Sequence, residues 1–80
     1  MYGWYKVIAE KEDFIEISYS IGKNKSCDGI LIYDKQKDDF ITYKMSLSAN
    51  PASTAWIIEH IKIKLKRKQL DKTKKIAVIG

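Results

Sequence analysis

Reactive side chains are scarce in this sequence: Cys27, His60 and Arg67 are each the only residue of their type. One cysteine cannot form a disulfide within the chain, so a disulfide-stabilised scaffold is excluded and a reducing compartment, the cytoplasm, is expected. One histidine and one cysteine also give too few ligands for a zinc site. We therefore predict no metal and no cofactor.

Long apolar runs are absent as well. The longest runs span four residues, as in residues 30–33 and 55–58, whereas about 20 are needed to cross a bilayer. The first six residues lack the basic-then-apolar order of a secretory signal. The sequence therefore predicts no membrane partner.

The supply of apolar residues is nevertheless sufficient for folding. The chain has 80 residues, of which 45% are hydrophobic, and this composition argues against disorder. Its length predicts one domain, residues 1–80. A domain of this size without disulfide or metal often depends on oligomerisation for stability, which predicts a homo-oligomer.

The first 45 residues read as strands separated by short polar connections. Residues 14–21 and 40–45 alternate in hydrophobicity, and residues 3–9 and 29–34 are also strand-like. This pattern predicts that Ile41 and Tyr43 face the core together with Ile15 and Ile17. Short connections between successive strands favour an antiparallel meander.

A helix is predicted to begin at Asn50-Pro51, because Asn is a preferred N-cap and Pro suits the first helical position. The helix is expected to extend over 52–70, with Ile57, Ile61 and Leu65 in its buried stripe. Residues 61–66 also alternate as a strand would, so a short helix ending near His60 and a hairpin to 75–79 is the competing interpretation. One long helix is preferred because no turn residue interrupts 52–70.

Residues 75–80 read as a last strand. The predicted fold class is α+β, with the order β-β-β-β-α-β. We expect an antiparallel β-sheet of four to five strands with one long C-terminal helix packed on one face.

The positive charge is concentrated in residues 62–75, which carry eight basic residues and one acid, Asp71. Such a cluster is typical of a phosphate-contacting surface. The candidates are Lys62, Lys64, Lys66, Arg67, Lys68, Lys72, Lys74 and Lys75. Because almost all of them are lysine, sequence-specific DNA reading is disfavoured. An equally open alternative is a solvated surface that reflects AT-rich coding.

No set of residues indicates catalysis. His60 and Cys27 lack an orienting third group, and the acidic pairs at 12–13 and 38–39 fall where turns are predicted. The loop over 22–29 lacks the order of residues found in a phosphate-binding loop. We therefore predict that the protein is not an enzyme and has no small-molecule substrate.

Some apolar side chains have no predicted partner within a monomer. Trp56, Ile63 and Leu70 recur every seven residues opposite the main helical stripe, and Trp4, Phe14 and Phe40 lie on the less favoured strand faces. These six residues are the candidate oligomer interface. The leading hypothesis is a non-enzymatic, self-associating binding or assembly module. The alternative is a nonspecific binder of single-stranded DNA or RNA that uses residues 62–75 and stacks bases on Trp4, Phe14 and Phe40.

Overall fold

The computed structural model describes all 80 residues and contains one sheet and one helix. The elements are β1 (Gly3–Glu10), β2 (Phe14–Ile21), β3 (Gly29–Asp34), β4 (Asp39–Lys44), α1 (Pro51–Lys66) and β5 (Ala77–Ile79). The strands are antiparallel in the order β4-β3-β2-β1-β5. The predicted fold class and element order are therefore confirmed.

The core lies between α1 and the three middle strands. Strand pairing places Tyr5 and Val7 of β1, Ile15 and Ile17 of β2 and Leu31 of β3 on one face. Ile57 and Ile61 of α1 are fully buried against this face, which confirms their predicted position. Burial of each isoleucine side chain stabilises the fold by about 1.5 to 3 kcal/mol.

Gly3 and Tyr19 fix how closely α1 approaches the sheet. A Cβ atom at Gly3 would lie 2.9 Å from the Ser20 carbonyl oxygen and 2.9 Å from Cδ1 of Ile57, so a larger residue would force the backbone or the helix to shift. The Tyr19 hydroxyl lies 2.8 Å from Oγ1 of Thr54 in the first turn of α1 and accepts a hydrogen bond from the Ser46 amide. These bonds satisfy polar groups that the packing removes from water.

The predicted facing of β4 is wrong. Ile41 and Tyr43 are 60% and 72% exposed, whereas Phe40 turns toward the helix side and packs on Tyr33 with ring centroids 4.9 Å apart. The cause is the β3–β4 register, which pairs Phe40 with Tyr33. Since β4 carries apolar residues at both alternating positions, its hydrophobic pattern did not distinguish the two faces.

The start of α1 agrees with the prediction. The Asn50 side chain accepts a hydrogen bond from the Ser53 amide, and the Ser53 hydroxyl accepts one from the Asn50 amide. This reciprocal pair satisfies amides that the helix itself leaves free. Residues 61–66 are helical, so the alternative with a hairpin after His60 is wrong.

The helix ends at Lys66, earlier than the predicted residue 70. Lys68 adopts a left-handed conformation (φ 55°), and the Gln69 amide donates to the Lys64 carbonyl at 2.8 Å. Leu70 then packs against the core, and the Asp71 amide donates to the Tyr5 hydroxyl at 2.9 Å. The chain therefore leaves the helical path to make these contacts, and Leu65 is only half-buried.

The left-handed residue at the end of α1 gives a test of the fold. Glycine is the usual residue at this position, because a side chain is strained there. Lys68→Gly should therefore raise the free energy of unfolding by about 0.5 to 1 kcal/mol. Lys66→Gly, within the helix, should lower it by a similar amount. Urea denaturation measures both variants, and equal destabilisation would show that the helix does not end at Lys66.

Candidate interaction surface

Because α1 covers one face of the sheet, the opposite face has no helix on it. We call this the helix-free face. Strand pairing arranges its side chains in four rows across the sheet: Asp39, Asp34 and Phe14; Ile41, Ile32, Glu16 and Ala9; Lys44, Ile30, Ser18 and Lys6; and Ser20, Trp4 and Val78. Its β3–β4 side is richer in apolar residues than its centre.

An apolar patch occupies this side of the helix-free face. We define it as Phe14, Ile30, Ile32, Ile41 and Tyr43. Phe14, Ile41 and Tyr43 are exposed, and Ile30 and Ile32 are half-buried. A concavity of about 270 Å³ lies beside the patch and is lined by Ala9, Lys11, Phe14, Glu16 and Ile32. The patch can therefore bury apolar surface against a partner.

The β2–β3 loop, residues 22–28, covers another part of the helix-free face. Nε1 of Trp4 donates to the Gly22 carbonyl at 2.7 Å, and Nζ of Lys25 lies 4.7 Å from the centroid of the Trp4 ring. The Ser20 hydroxyl accepts from the Cys27 amide and donates to the Asn24 carbonyl. Trp4 is half-buried, so only part of its ring is available to a base.

Cys27 is buried where this loop closes. Burial raises the pKa of the Cys27 thiol, although a contact with Ser20 partly opposes this. Catalytic cysteines have a lowered pKa, because the thiolate is the nucleophile. His60 lies on α1, across the sheet, where Nδ1 is 2.9 Å from the Trp56 carbonyl oxygen. The structure does not bring Cys27 and His60 together.

Glu12, Asp13 and Asp38 lie in the connections between strands, as expected, whereas Asp39 is the first residue of β4. The carboxylate of Asp38 accepts a hydrogen bond from the Tyr33 hydroxyl at 2.5 Å, which raises the pKa of Tyr33 to about 12. The Asp39 carboxylate accepts from the Phe40 amide. Both aspartates are exposed at the start of β4. They therefore give that end of the strand a negative charge.

Asp28 has a structural role that the sequence did not reveal. Its carboxylate accepts from the Ser46 hydroxyl at 2.6 Å and from the Leu47 amide at 2.9 Å. These hydrogen bonds lower the pKa of Asp28. They fix the connection between β4 and α1 to the end of the β2–β3 loop.

The basic residues of 62–75 lie in several different surroundings. Nζ of Lys62 is 3.9 Å from the Asp39 carboxylate, and Nζ of Lys72 is 3.0 Å from that of Glu10. Lys66 lies near Lys62, next to Asp38 and Glu59. Lys68 and Lys72 lie together beside Leu65 and Leu70. Lys74 lies beside Lys6, and Lys75 is exposed. The turn after Lys66 separates these side chains.

A basic groove lies between α1 and β5. Its volume is about 430 Å³, and it is lined by His60, Ile63, Lys64, Arg67, Gln69, Val78, Ile79 and Gly80. No carboxylate side chain lines it. Among the predicted phosphate-contacting residues, the structure brings Lys64 and Arg67 together here.

The six predicted interface residues are not on one surface. Trp56, Leu70 and Phe40 pack against the core, and Trp4 is half-buried. Phe14 and Ile63 are 47% and 42% exposed, but Phe14 belongs to the helix-free face and Ile63 to α1. Sequence reasoning missed Ile41 and Tyr43. Which face of β4 these two side chains occupy depends on the β3–β4 register. The length of the turn from Asp34 to Asp39 sets this register and is the sequence signal for it.

Comparison of the chain with protein-family models gave no match, and comparison with curated proteins and with solved structures gave none either. The one helix, α1, is not long and apolar enough to cross a membrane.

Proposed function

We propose that the protein is a small, non-enzymatic assembly module of the cytoplasm that self-associates through its apolar patch. The observation that carries this proposal is the exposure of Ile41 beside Ile32, on a sheet face without a helix, with Tyr43 also exposed two residues further along β4. Contiguous exposed apolar surface on a small protein is a mark of an interaction site. A second copy is the simplest partner that can cover it.

The modest core supports the same proposal. It comprises nine buried residues from β1, β2, β3, α1 and β5, and none from β4. A small domain with such a core gains stability from association, because binding to the folded state shifts the folding equilibrium. Association at the β3–β4 side would bury the strand that the monomer leaves most exposed.

A second candidate function is nonspecific binding of single-stranded nucleic acid at the β5 side. The basic groove favours it, since Lys64 and Arg67 lie together there without an acidic side chain in the lining. Lys6 and Lys74 add positive charge on the helix-free face next to β5. Phosphate contacts of this kind need no sequence specificity. The apolar patch lies toward the β4 edge of the sheet and the basic groove lies beside β5 at the other edge, so the two candidate functions are compatible.

Self-association is tested by Ile41→Ser, with Leu47→Ser as the matched control. Ile41 lies in the apolar patch, whereas Leu47 is 91% exposed in the connection before α1. Sedimentation equilibrium at micromolar concentration should show the native protein as a dimer or larger. Ile41→Ser should raise the dissociation constant roughly tenfold through lost apolar burial, and Leu47→Ser should leave it unchanged. A native protein that is monomeric would refute the proposal.

Nucleic-acid binding is tested with a mixed-sequence single-stranded oligonucleotide at low salt. The logarithm of the affinity should fall linearly with the logarithm of salt concentration, by about 0.7 per phosphate contact. Lys64→Glu with Arg67→Glu should abolish binding. Lys62→Glu with Lys66→Glu changes the net charge equally, but these residues lie beside Asp38 and Asp39, so the effect should be much smaller. Equal loss in both double variants, or no binding at about 50 mM salt, would contradict the groove's role.

A further inference from the structure

The sheet has two open edges, and they differ in length. The edge strand β5 has three residues, whereas β4 has six, Asp39–Lys44. Every β4 residue except Phe40 is exposed. Along each open edge, alternate backbone amides and carbonyls have no strand to pair with, and natural proteins shield such edges by shortness, proline or cover. Strand β4 contains no proline, is not covered and is six residues long. Its charged residues and its register irregularity, which also shield edges, lie toward its two ends and leave residues 40–42 open.

We propose that two copies of the chain join by antiparallel pairing of their β4 strands about a two-fold axis. This inference rests on the self-association proposed above and names its geometry. The two five-stranded sheets then continue as one sheet of ten strands. A two-fold contact of this kind closes on itself, whereas pairing of β4 with β5 of another copy would extend into a filament.

The charges of β4 suit a second antiparallel copy. Asp38 and Asp39 are exposed at its beginning, with Lys62 and Lys66 of α1 beside them, and Lys44 makes its end positive. In an antiparallel pair, the beginning of one strand lies beside the end of the other. The acidic end of each copy therefore lies beside Lys44 of the second copy, at both ends of the interface. Opposite charges placed across neighbouring strands are stabilising, and like charges there are destabilising.

The centre of the proposed pairing is apolar. Directly opposite residues of an antiparallel pair lie on the same face, so the two-fold axis relates one β4 residue to its own counterpart, and Ile41 lies near the middle of the strand. Pairing places Ile41 of one copy close to Ile41 of the other and joins the two apolar patches on the helix-free side. The irregularity in the β3–β4 ladder lies beyond Thr42, at the Lys44 end. Residues 39–42 therefore form a regular stretch of strand that is suitable for pairing.

The test is a charge swap along β4, measured by sedimentation equilibrium of the full chain. Lys44→Glu places like charges together at both ends and should raise the dissociation constant on the order of tenfold. The double variant Asp39→Lys with Lys44→Glu exchanges the two charged residues of β4 and should recover most of the lost affinity, because only Asp38 keeps its negative charge. Lys75→Glu, an exposed change next to β5 at the opposite edge, should have little effect. Circular dichroism and thermal unfolding check that each variant folds.

The outcomes separate this geometry from self-association itself. If the native protein is monomeric, both proposals are wrong. If it associates but Lys44→Glu behaves like Lys75→Glu, or if the charge swap does not restore association, pairing through β4 is wrong while self-association stands. Rescue by the swap, together with weaker native association in high salt, supports the edge pairing.

Discussion

A single helix of 16 residues has to cover a sheet of five strands. The helix lies on one face, and its buried isoleucines, Ile57 and Ile61, pack against the middle of the sheet. One helix covers one face only, and here it leaves β4 largely outside the core. The exposed apolar residues, the free edge and the proposed assembly all follow from this limit.

The same arrangement distributes charge unevenly around the molecule. The β4 side has Asp38 and Asp39 at the beginning of the strand and Lys44 at its end, which suits pairing with an inverted copy. The β5 side has Lys64 and Arg67 in the basic groove. In a dimer joined through β4, the two basic grooves would lie at the outer ends of the joined sheet. Each would remain free for a separate, anionic partner.

The elements of the fold were predictable because local signals agreed with each other. Strict alternation in β2 and the Asn50-Pro51 start of α1 each point to one structure, and both are present. The end of α1 was not predictable, because Lys68 occupies a left-handed position without the glycine that usually marks it. The stop depends instead on contacts of Leu70 and Asp71 that are distant in sequence.

The candidate site was less predictable than the fold. The sequence indicated unpartnered apolar residues and included Phe14, which lies in the apolar patch. It placed Ile41 and Tyr43 in the core, however, and left Phe40 and Trp56 without a partner. A shift of one residue exchanges the two faces of a strand, and β4 has an apolar residue at either position. The eight basic residues were read as one segment, whereas the turn after Lys66 distributes them to several sides of the molecule. A local sequence pattern predicts neither the facing of β4 nor the distribution of the basic residues, because strand register and chain reversal depend on tertiary contacts.

Amide hydrogen exchange along the two sheet edges is the most direct measurement of whether β4 is the assembly edge. Exchange is compared at protein concentrations below and above the range in which association occurs. If copies pair through β4, protection of the β4 amides that point away from β3 should rise with concentration while that of residues 77–79 in β5 stays constant, because pairing shields those amides from water. Protection of β4 that does not change with concentration, or a rise at β5 instead, would contradict the role assigned to β4.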